Sequence, residues 1–413
     1  MARDFRSLMT PETALRRTSP ASIVVFVVTA LTILFGAALC QLSAWFAGQI
    51  GLSSFSAEFL IWFDRFAVIA QSIVLLVIAG PLALASRNPR FRPVYQGWLI
   101  AALFGFPATA LRFIPVHLDQ LGALAQTALA LVAGGIVIAT VRVTGRRSLP
   151  PIWGARGALT ALVAVPFAVW PFIRYGALGS PLDALLNLIA GLAYGVFAAL
   201  LIAPTEENTF LKGLGLAVTM ALIGSAFGYD GSQLLLVAVV PALGFAAAAL
   251  SSSLLAPALL IGLAAAAPLI FFDPTELTIM LGGGEILTWA SRAGFIMFIS
   301  GLALGLALWL IKLITRPMRI PTALPLVGAV AAWAGAAALF ITLGQPGFHG
   351  ERLFVILKDQ ADVSSATQIT DRNDRLKFVY DTLTSHATST QADLRQTLDR
   401  FGIRYTPYYL VNG

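Results

Sequence analysis

Residues 22–46 read SIVVFVVTALTILFGAALCQLSAWF and contain no charged side chain. A helix needs about 20 mostly apolar residues to cross the hydrocarbon core of a bilayer, so this stretch is long enough to span it. A basic leader with four arginines, Arg3, Arg6, Arg16 and Arg17, precedes it. Because further apolar stretches follow, we interpret residues 22–46 as a retained first membrane span rather than a cleaved signal peptide.

The rest of the chain repeats this pattern. Of its 413 residues, 58% are hydrophobic and 11% are charged, whereas soluble domains carry about 25% charged residues. The fold class predicted for residues 22–344 is therefore an all-α polytopic membrane protein with about eleven transmembrane helices. The count is least secure in residues 205–272, where the loops are short and nearly uncharged. The predicted spans are 22–46, 67–86, 97–115, 121–141, 157–173, 183–203, 212–229, 233–251, 254–272, 292–315 and 322–344.

Basic residues are distributed unevenly between the segments that flank these spans. The leader and the loops after every second span hold fifteen Lys and Arg residues, whereas the alternate segments hold four, namely Arg65, Arg112, Arg174 and Arg292. Short cytoplasmic loops are enriched in basic residues. We therefore predict a plasma-membrane protein with a cytoplasmic leader, residues 1–21, and an extracytoplasmic C-terminus. The net charge of +7 is a topology signal on this interpretation, and nucleic acid is not an expected partner.

The predicted spans carry little catalytic chemistry. One cysteine and three scattered histidines predict no disulfide, no metal site and no cofactor. Glu206 and Glu207 are weak candidates at a membrane face. The Glu-Glu-x-x-x-Arg motif of CAAX-processing-type metalloproteases would need an arginine where this chain has Leu211. The preferred interpretation is a helix N-terminus, where acidic and capping residues are favourable.

The composition changes after a linker, residues 345–351. Residues 352–413 have the pattern of a small extracytoplasmic α+β segment, arranged βαβ. Arg352–Lys358 and Tyr405–Val411 are predicted strands, and helical periodicity lies between them. Asp371 is a candidate cap, while one long helix and two shorter helices both remain possible. Gly402 followed by Ile403 is typical of a Schellman helix stop.

This segment resembles the start of the inhibitor propeptide of subtilisin-like serine proteases, the subtilases. The resemblance rests on FVILKDQADVS from Phe354, on FVY from Phe378, on TQA from Thr390 and on GIRYTPYYLVN from Gly402. It implies half of a ferredoxin-like βαββαβ module that packs its sheet on a protease. The residues that this implies for the protease-contact surface are Phe354, Ile356, Tyr405, Tyr408 and Leu410.

Two departures from the subtilase pattern shape the functional prediction. The catalytic Asp, His and Ser motifs of that family are absent, so the chain is not predicted to be an enzyme. The resemblance also stops at Gly413, after the first half of the module. We therefore expect a membrane protein that presents this segment outside the membrane as an anchor, chaperone or regulator of a subtilase. It could equally be the front part of a membrane-anchored subtilase.

An alternative function is a permease or lipid-handling membrane protein with an incidental tail. The number of predicted spans and the glycine run Gly282-Gly283-Gly284, in a predicted outer loop, favour this alternative. The bilayer is the expected partner in both cases.

Overall fold

A computed structural model describes most of the chain. The protein consists of two compact units, Met1–His349 and Gly350–Gly413, here called the membrane unit and the tail unit. The described residues are 19–53, 59–86, 88, 90–114, 118–144, 150–202, 209–228, 231–272, 286–315, 321–344 and 355–409.

The described part of the membrane unit is built from α-helices. Two spans are interrupted by 3₁₀ turns, at Thr109–Phe113 after α3 and at Val240–Leu243 between α8 and α9. Pro241 lies in the second turn and cannot donate a helical hydrogen bond. The helices are α1 Pro20–Ser53, α2 Phe59–Ala85, α3 Arg92–Ala108, α4 Asp119–Thr144, α5 Ala155–Tyr175, α6 Pro181–Leu200, α7 Thr209–Ala226, α8 Ser232–Val239, α9 Gly244–Ala249, α10 Leu255–Phe271, α11 Ile286–Thr315 and α12 Ala323–Leu343.

The predicted membrane architecture is confirmed for ten spans. In the described part of the chain, ten helical segments are long and apolar enough to cross a bilayer, with α8 and α9 counted together. The remaining prediction, residues 254–272, corresponds to α10, which has only 17 residues. A methyl group built on Gly157 at the start of α5 would lie 3.1 Å from the Cβ of Ala256. Beyond the other end of α5, the Ala177 N–H donates to the Phe271 carbonyl (2.7 Å). The short helix therefore runs alongside α5 from end to end.

Glycines allow α6 and α10 to approach closely. A methyl group on Gly195 would lie 2.3 Å from the carbonyl oxygen of Ala258, and one on Gly191 would lie 2.6 Å from the Cβ of Ala266. Residue numbers rise along α6 as they fall along α10, so the pair is antiparallel. Small residues four positions apart, such as Gly191 and Gly195, let helix backbones touch in membranes.

The centre of the membrane unit is α7. Every residue from Gly213 to Ala226 is buried in the protein. Trp98 on α3 is fully buried as well, and its indole N–H donates to the carbonyl of Gly215 (2.8 Å). A buried tryptophan needs such a partner for its N–H group. The helix is thus enclosed by protein instead of lipid.

The tail unit contains a 3₁₀ turn, Ser364–Gln368, and two helices, α13 Arg372–Thr390 and α14 Ala392–Arg400. Asp371 caps α13 as predicted, because its carboxylate accepts from the N–H groups of Asn373 (2.8 Å) and Asp374 (2.9 Å). The choice left open between one helix and two is decided in favour of two. Gly402 has φ +65°, and the Ile403 N–H donates to the Leu398 carbonyl (2.9 Å), which confirms the Schellman stop.

The two predicted strands of the tail unit are not seen. The described residues contain no β-strand, so the α+β character of this segment is not shown. A strand is stable only when a neighbouring strand satisfies its backbone groups. The chain after Gly402 is held instead by side chains, since the Gln391 amide donates to the carbonyl of Tyr408 (2.7 Å).

Candidate functional site

Several of the sequence-predicted site residues lie outside the part of the chain that the structure describes. Glu206, Glu207, Phe354 and Leu410 lie outside the described residues, as do the glycines 282–284. Three members of the predicted protease-contact surface are described, and none lies in a strand. Ile356 and Tyr408 are more than half exposed, whereas Tyr405 is half-buried.

Tyr405 is held by the neighbouring helix of the tail unit. Its hydroxyl donates to the Asp399 carboxylate (3.3 Å), and the guanidinium of Arg395 lies 5.8 Å from the centre of its ring. The Tyr405 hydroxyl also raises the pKa of Arg395, chiefly through a hydrogen bond. Tyr405 therefore makes contacts within the tail unit, and its place in a protease-contact surface stays a prediction.

A buried polar cluster in the membrane unit was missed at the sequence level. It consists of Gln41 on α1, Gln71 on α2, Arg112 in the 3₁₀ turn after α3, and Ser225 on α7. The Gln41 amide donates to Gln71 (2.8 Å), and the Gln71 amide donates to the Ser225 hydroxyl (2.8 Å). We call this set the Arg112 cluster.

Arg112 carries the charge of this cluster. The sequence pattern counted it with the basic residues that flank the spans, near the end of predicted span 97–115, but it is 8% exposed and lies inside the helix bundle. Its Nη2 donates to the side-chain oxygen of Gln41 (3.3 Å) and to the Ser225 carbonyl (2.9 Å). Ser225 lies in the last turn of α7, where the partial negative charge of the helix C-terminus stabilises a cation. The Asp64 carboxylate adds a favourable electrostatic interaction. The cluster thus joins four chain segments and stabilises the end of α7.

One sequence signal could have located this cluster. Gln41 and Gln71 are amides inside otherwise apolar predicted spans, and a polar side chain at membrane depth requires a hydrogen-bond partner. The sequence alone does not say which partner each amide takes. Ser225 and Gln71 are 154 residues apart, so only the folded bundle brings them together.

A second feature is an open cleft formed by α5, α11 and α12, here called the α5–α11–α12 cleft. Both α11 and α12 pack on α5, but they pack little on each other among the described residues. Gly328 of α12 lies against Val163 of α5, and the indole N–H of Trp333 donates to the Leu162 carbonyl (3.0 Å). On the other side, Gly301 lies against Ala242. The two helices therefore lie apart, and the gap between them has a cavity volume of about 980 Å³.

The cleft is apolar along most of its length and basic at one end. Apolar walls come from α5, α11 and α12, and the end of α9 closes one end. Arg156, the second residue of α5, lies at the same end as Lys312 in the last turn of α11. The Lys312 ammonium donates to the carbonyl of Ala249, the last residue of α9 (3.3 Å). The principal apolar lining residues are Val163, Phe167, Ala303, Leu304, Ala307, Leu308, Ile311 and Leu324.

The length of the cleft matches one leaflet of a bilayer. Arg156 and Phe167 are eleven residues apart on α5, which corresponds to about 16 Å of helix. Half of the hydrocarbon core is about 15 Å thick. The volume lies at the upper end of the range of about 300–1,000 Å³ that ligand pockets occupy. The arrangement can accommodate a long apolar molecule with a negatively charged end.

Other chemistry is sparse in the described residues. No group of three or more His, Cys, Asp or Glu side chains there could hold a metal ion. Ser225, the serine of the Gly224–Gly228 stretch, is buried, and its hydroxyl donates to the Leu222 carbonyl (2.7 Å). The features with chemical character are thus the Arg112 cluster, which is closed, and the α5–α11–α12 cleft, which is open.

The fold and the cleft define a polytopic helical membrane protein with a side opening between its helices. No model of a known protein family, no curated protein and no solved structure matches this chain.

Proposed function

We propose that the membrane unit is a lipid-handling protein that takes an amphiphilic molecule from the surrounding bilayer into the α5–α11–α12 cleft. The observation that carries this proposal is the cleft itself, which combines apolar walls of one-leaflet length with cations at one end. A membrane protein whose helices diverge toward the lipid can be entered sideways, without passage through water.

The orientation of the chain completes this proposal. The bias of basic residues supports a plasma-membrane protein with a cytoplasmic N-terminus. Arg156 follows the basic loop of residues 145–149, so the basic end of the cleft would face the cytoplasmic leaflet. The ligand would then be a lipid of that leaflet.

The test uses the full chain in nanodiscs that contain a phospholipid with a photoreactive acyl chain. We expect the α11 peptide that includes Ala303 and Ala307 to be labelled after illumination. Ala307→Trp should fill the cleft and reduce this labelling about tenfold, since it removes the space that several methylenes would occupy, each contributing about 0.8 kcal/mol. Labelling is measured by mass spectrometry of the digested protein.

Leu306→Trp is the matched control, because Leu306 is exposed on the same helix and does not line the cleft. It should leave the labelling of the cleft unchanged. Equal labelling of the native protein and the Ala307→Trp variant would contradict the proposal.

A second candidate function concerns the tail unit. The tail unit buries few of its large apolar side chains, since Ile356, Leu376 and Phe401 are more than half exposed. These exposed side chains support a role in binding a partner. Exposed apolar groups mark interaction sites when they form a contiguous patch. The resemblance to subtilase propeptides suggests a subtilase as that partner, with the tail as its anchor, chaperone or regulator.

Inhibition of a purified subtilase by the full-length protein in nanodiscs tests this second candidate. We expect the protein to inhibit the subtilase or to co-purify with it. The double variant Ile356→Asp with Tyr408→Asp should weaken that interaction. Absence of both binding and inhibition would count against the candidate.

A further inference from the structure

The basic end of the α5–α11–α12 cleft is built to receive a negative charge. Arg156 and Lys312 both line it, and no Asp or Glu lies among the described lining residues. Lys312 is held in place by its hydrogen bond to the Ala249 carbonyl (3.3 Å), so its ammonium group remains at the end of the cleft. Two cations without a described lining carboxylate favour an anion at this end of the cleft.

The first turn of α5 adds hydrogen-bond donors at the same place. Its N-cap residue is Gly154, which has no side chain to accept from the first N–H groups of the helix. The N-terminus of a helix carries a partial positive charge and unsatisfied N–H groups, and both favour a phosphate or carboxylate. Arg156 belongs to this turn, so its charge adds to that of the helix dipole.

Ser253 adds an unpartnered, buried hydroxyl beside this turn. Its side chain is 2% exposed, and its hydroxyl has no hydrogen-bond partner. A methyl group on Gly154 would lie 2.7 Å from this hydroxyl oxygen, and one on Gly157 would lie 3.6 Å from it. A buried hydroxyl without a partner is unfavourable by about 1–3 kcal/mol, which a bound acceptor would offset. Ser252, its neighbour in sequence, lines the cleft.

We infer that this end of the cleft binds the phosphate of an anionic glycerophospholipid, an inference that rests on the proposed lipid-handling function. Arg156 and Lys312 balance the charge of the headgroup. The first-turn N–H groups of α5 and the Ser253 hydroxyl donate to phosphate oxygens. The acyl chains lie along the apolar walls toward Phe167.

The source of the phosphate is a lipid because the anion site and the apolar cleft are continuous. Arg156 and Lys312 line the same cavity as Phe167, Leu304 and Leu308. A free phosphate ion would leave about 16 Å of apolar wall without a ligand. A glycerophospholipid fills both parts, and it is present at high concentration beside the opening.

The test compares two lipids that carry the same photoreactive acyl chain in nanodiscs with the full-length protein. One is phosphatidylglycerol, which has a net negative charge, and the other is phosphatidylcholine, which has none. We expect phosphatidylglycerol to label the cleft about tenfold more strongly, which corresponds to about 1.4 kcal/mol, because the quaternary ammonium of phosphatidylcholine is repelled by the two cations.

Variants identify the groups responsible for this preference. The double variant Arg156→Gln with Lys312→Gln should label equally with both lipids while its total labelling persists. Arg156→Lys with Lys312→Arg should keep most of the preference, and Ser253→Ala should reduce it a few-fold. Arg142→Gln removes an exposed basic residue of α4 outside the cleft lining and should have no effect.

Each alternative result has a distinct meaning. Equal labelling of the native protein by both lipids overturns the headgroup inference but leaves the proposed function standing. Loss of the preference when inorganic phosphate is added at millimolar concentration overturns the lipid source, because the site would then serve a soluble anion. Absence of cleft labelling by either lipid overturns the proposed function itself.

Discussion

Helices α7 and α12 are both apolar membrane helices, but their environments are opposite. Every residue of α7 from Gly213 to Ala226 is buried, whereas only Ala329 and Ala336 are buried in α12. Helix α12, which faces lipid, has a higher mean hydropathy than α7. In a bilayer, lipid is as apolar as a protein core, so hydropathy alone does not tell an inner helix from an outer one.

The difference has a basis in small and polar residues. The region around α7 uses glycine contacts and a hydrogen-bonded polar cluster, and both require close-fitting neighbours. At the periphery, α12 packs mainly on α5 and leaves a cleft beside it. Substitutions in both regions test whether this contrast between interior and periphery holds.

The largest loss of stability is expected for Arg112→Met. The substitution leaves the oxygen atoms of Gln41 and Ser225 without this donor, and it removes the cation that faces Asp64. Removing one partner of a buried charged interaction destabilises a protein by about 3 kcal/mol or more. The measurement is the unfolding free energy, or the Tm, of the protein in nanodiscs.

Arg142→Met is the control, because Arg142 is exposed near the end of α4 and should change stability by less than about 0.5 kcal/mol. Asp64→Asn combined with Arg112→Met should recover part of the loss, since no charge is then left uncompensated. Equal, small effects of Arg112→Met and Arg142→Met would show that the Arg112 cluster contributes nothing to the interior.

A matched pair of glycine substitutions should change the stability of the protein differently in the two regions. Gly195→Ala places a methyl group 2.3 Å from the Ala258 carbonyl oxygen and should destabilise the protein by about 2 kcal/mol. A methyl group on Gly335 of α12 meets no atom within 4 Å. Gly335→Ala should be neutral or stabilise by up to about 1 kcal/mol, because alanine favours the helix.

Thermal unfolding of both variants in the same nanodiscs measures this difference. A similar loss of Tm in the two variants would mean that α12 is as closely packed in the membrane as α6. The contrast between interior and periphery would then be wrong.

The smallest effect is expected for Trp333→Phe. The change removes the hydrogen bond that the indole of α12 donates to the Leu162 carbonyl of α5, while an aromatic ring remains at position 333. Hydrogen bonds between membrane helices contribute about 0.6 kcal/mol on average. Hydrogen–deuterium exchange should rise in α12 and stay unchanged in α7. Faster exchange in α7 would show that the two regions are coupled.

Much of the fold could be predicted from local sequence. Every predicted span corresponds to a helix in the described residues, since about 20 apolar residues in sequence suffice to mark a membrane helix. The Asp371 cap and the Gly402 stop were found for the same reason, because each depends on residues that are close in the chain. The predicted strands were not seen, because a strand depends on a partner elsewhere in the chain.

The candidate site was less predictable. Arg112 was counted among the basic residues that flank the spans, and no partner for it was predicted. Its burial depends on Gln41 and Ser225, which come from other helices. The cleft was missed because Arg156 and Lys312 look like ordinary flanking basic residues. Only the gap between α11 and α12 brings them to the same end of one cavity.

Local sequence is enough to establish that this chain is a multi-pass helical membrane protein, because hydrophobic length and charge act locally along the chain. Only the folded bundle establishes which helices face lipid, where the buried arginine finds its partners and where a cleft opens. Those features depend on which helices become neighbours. In lipid, neighbours are selected by the close fit of small residues and by rare polar contacts, which hydropathy does not record.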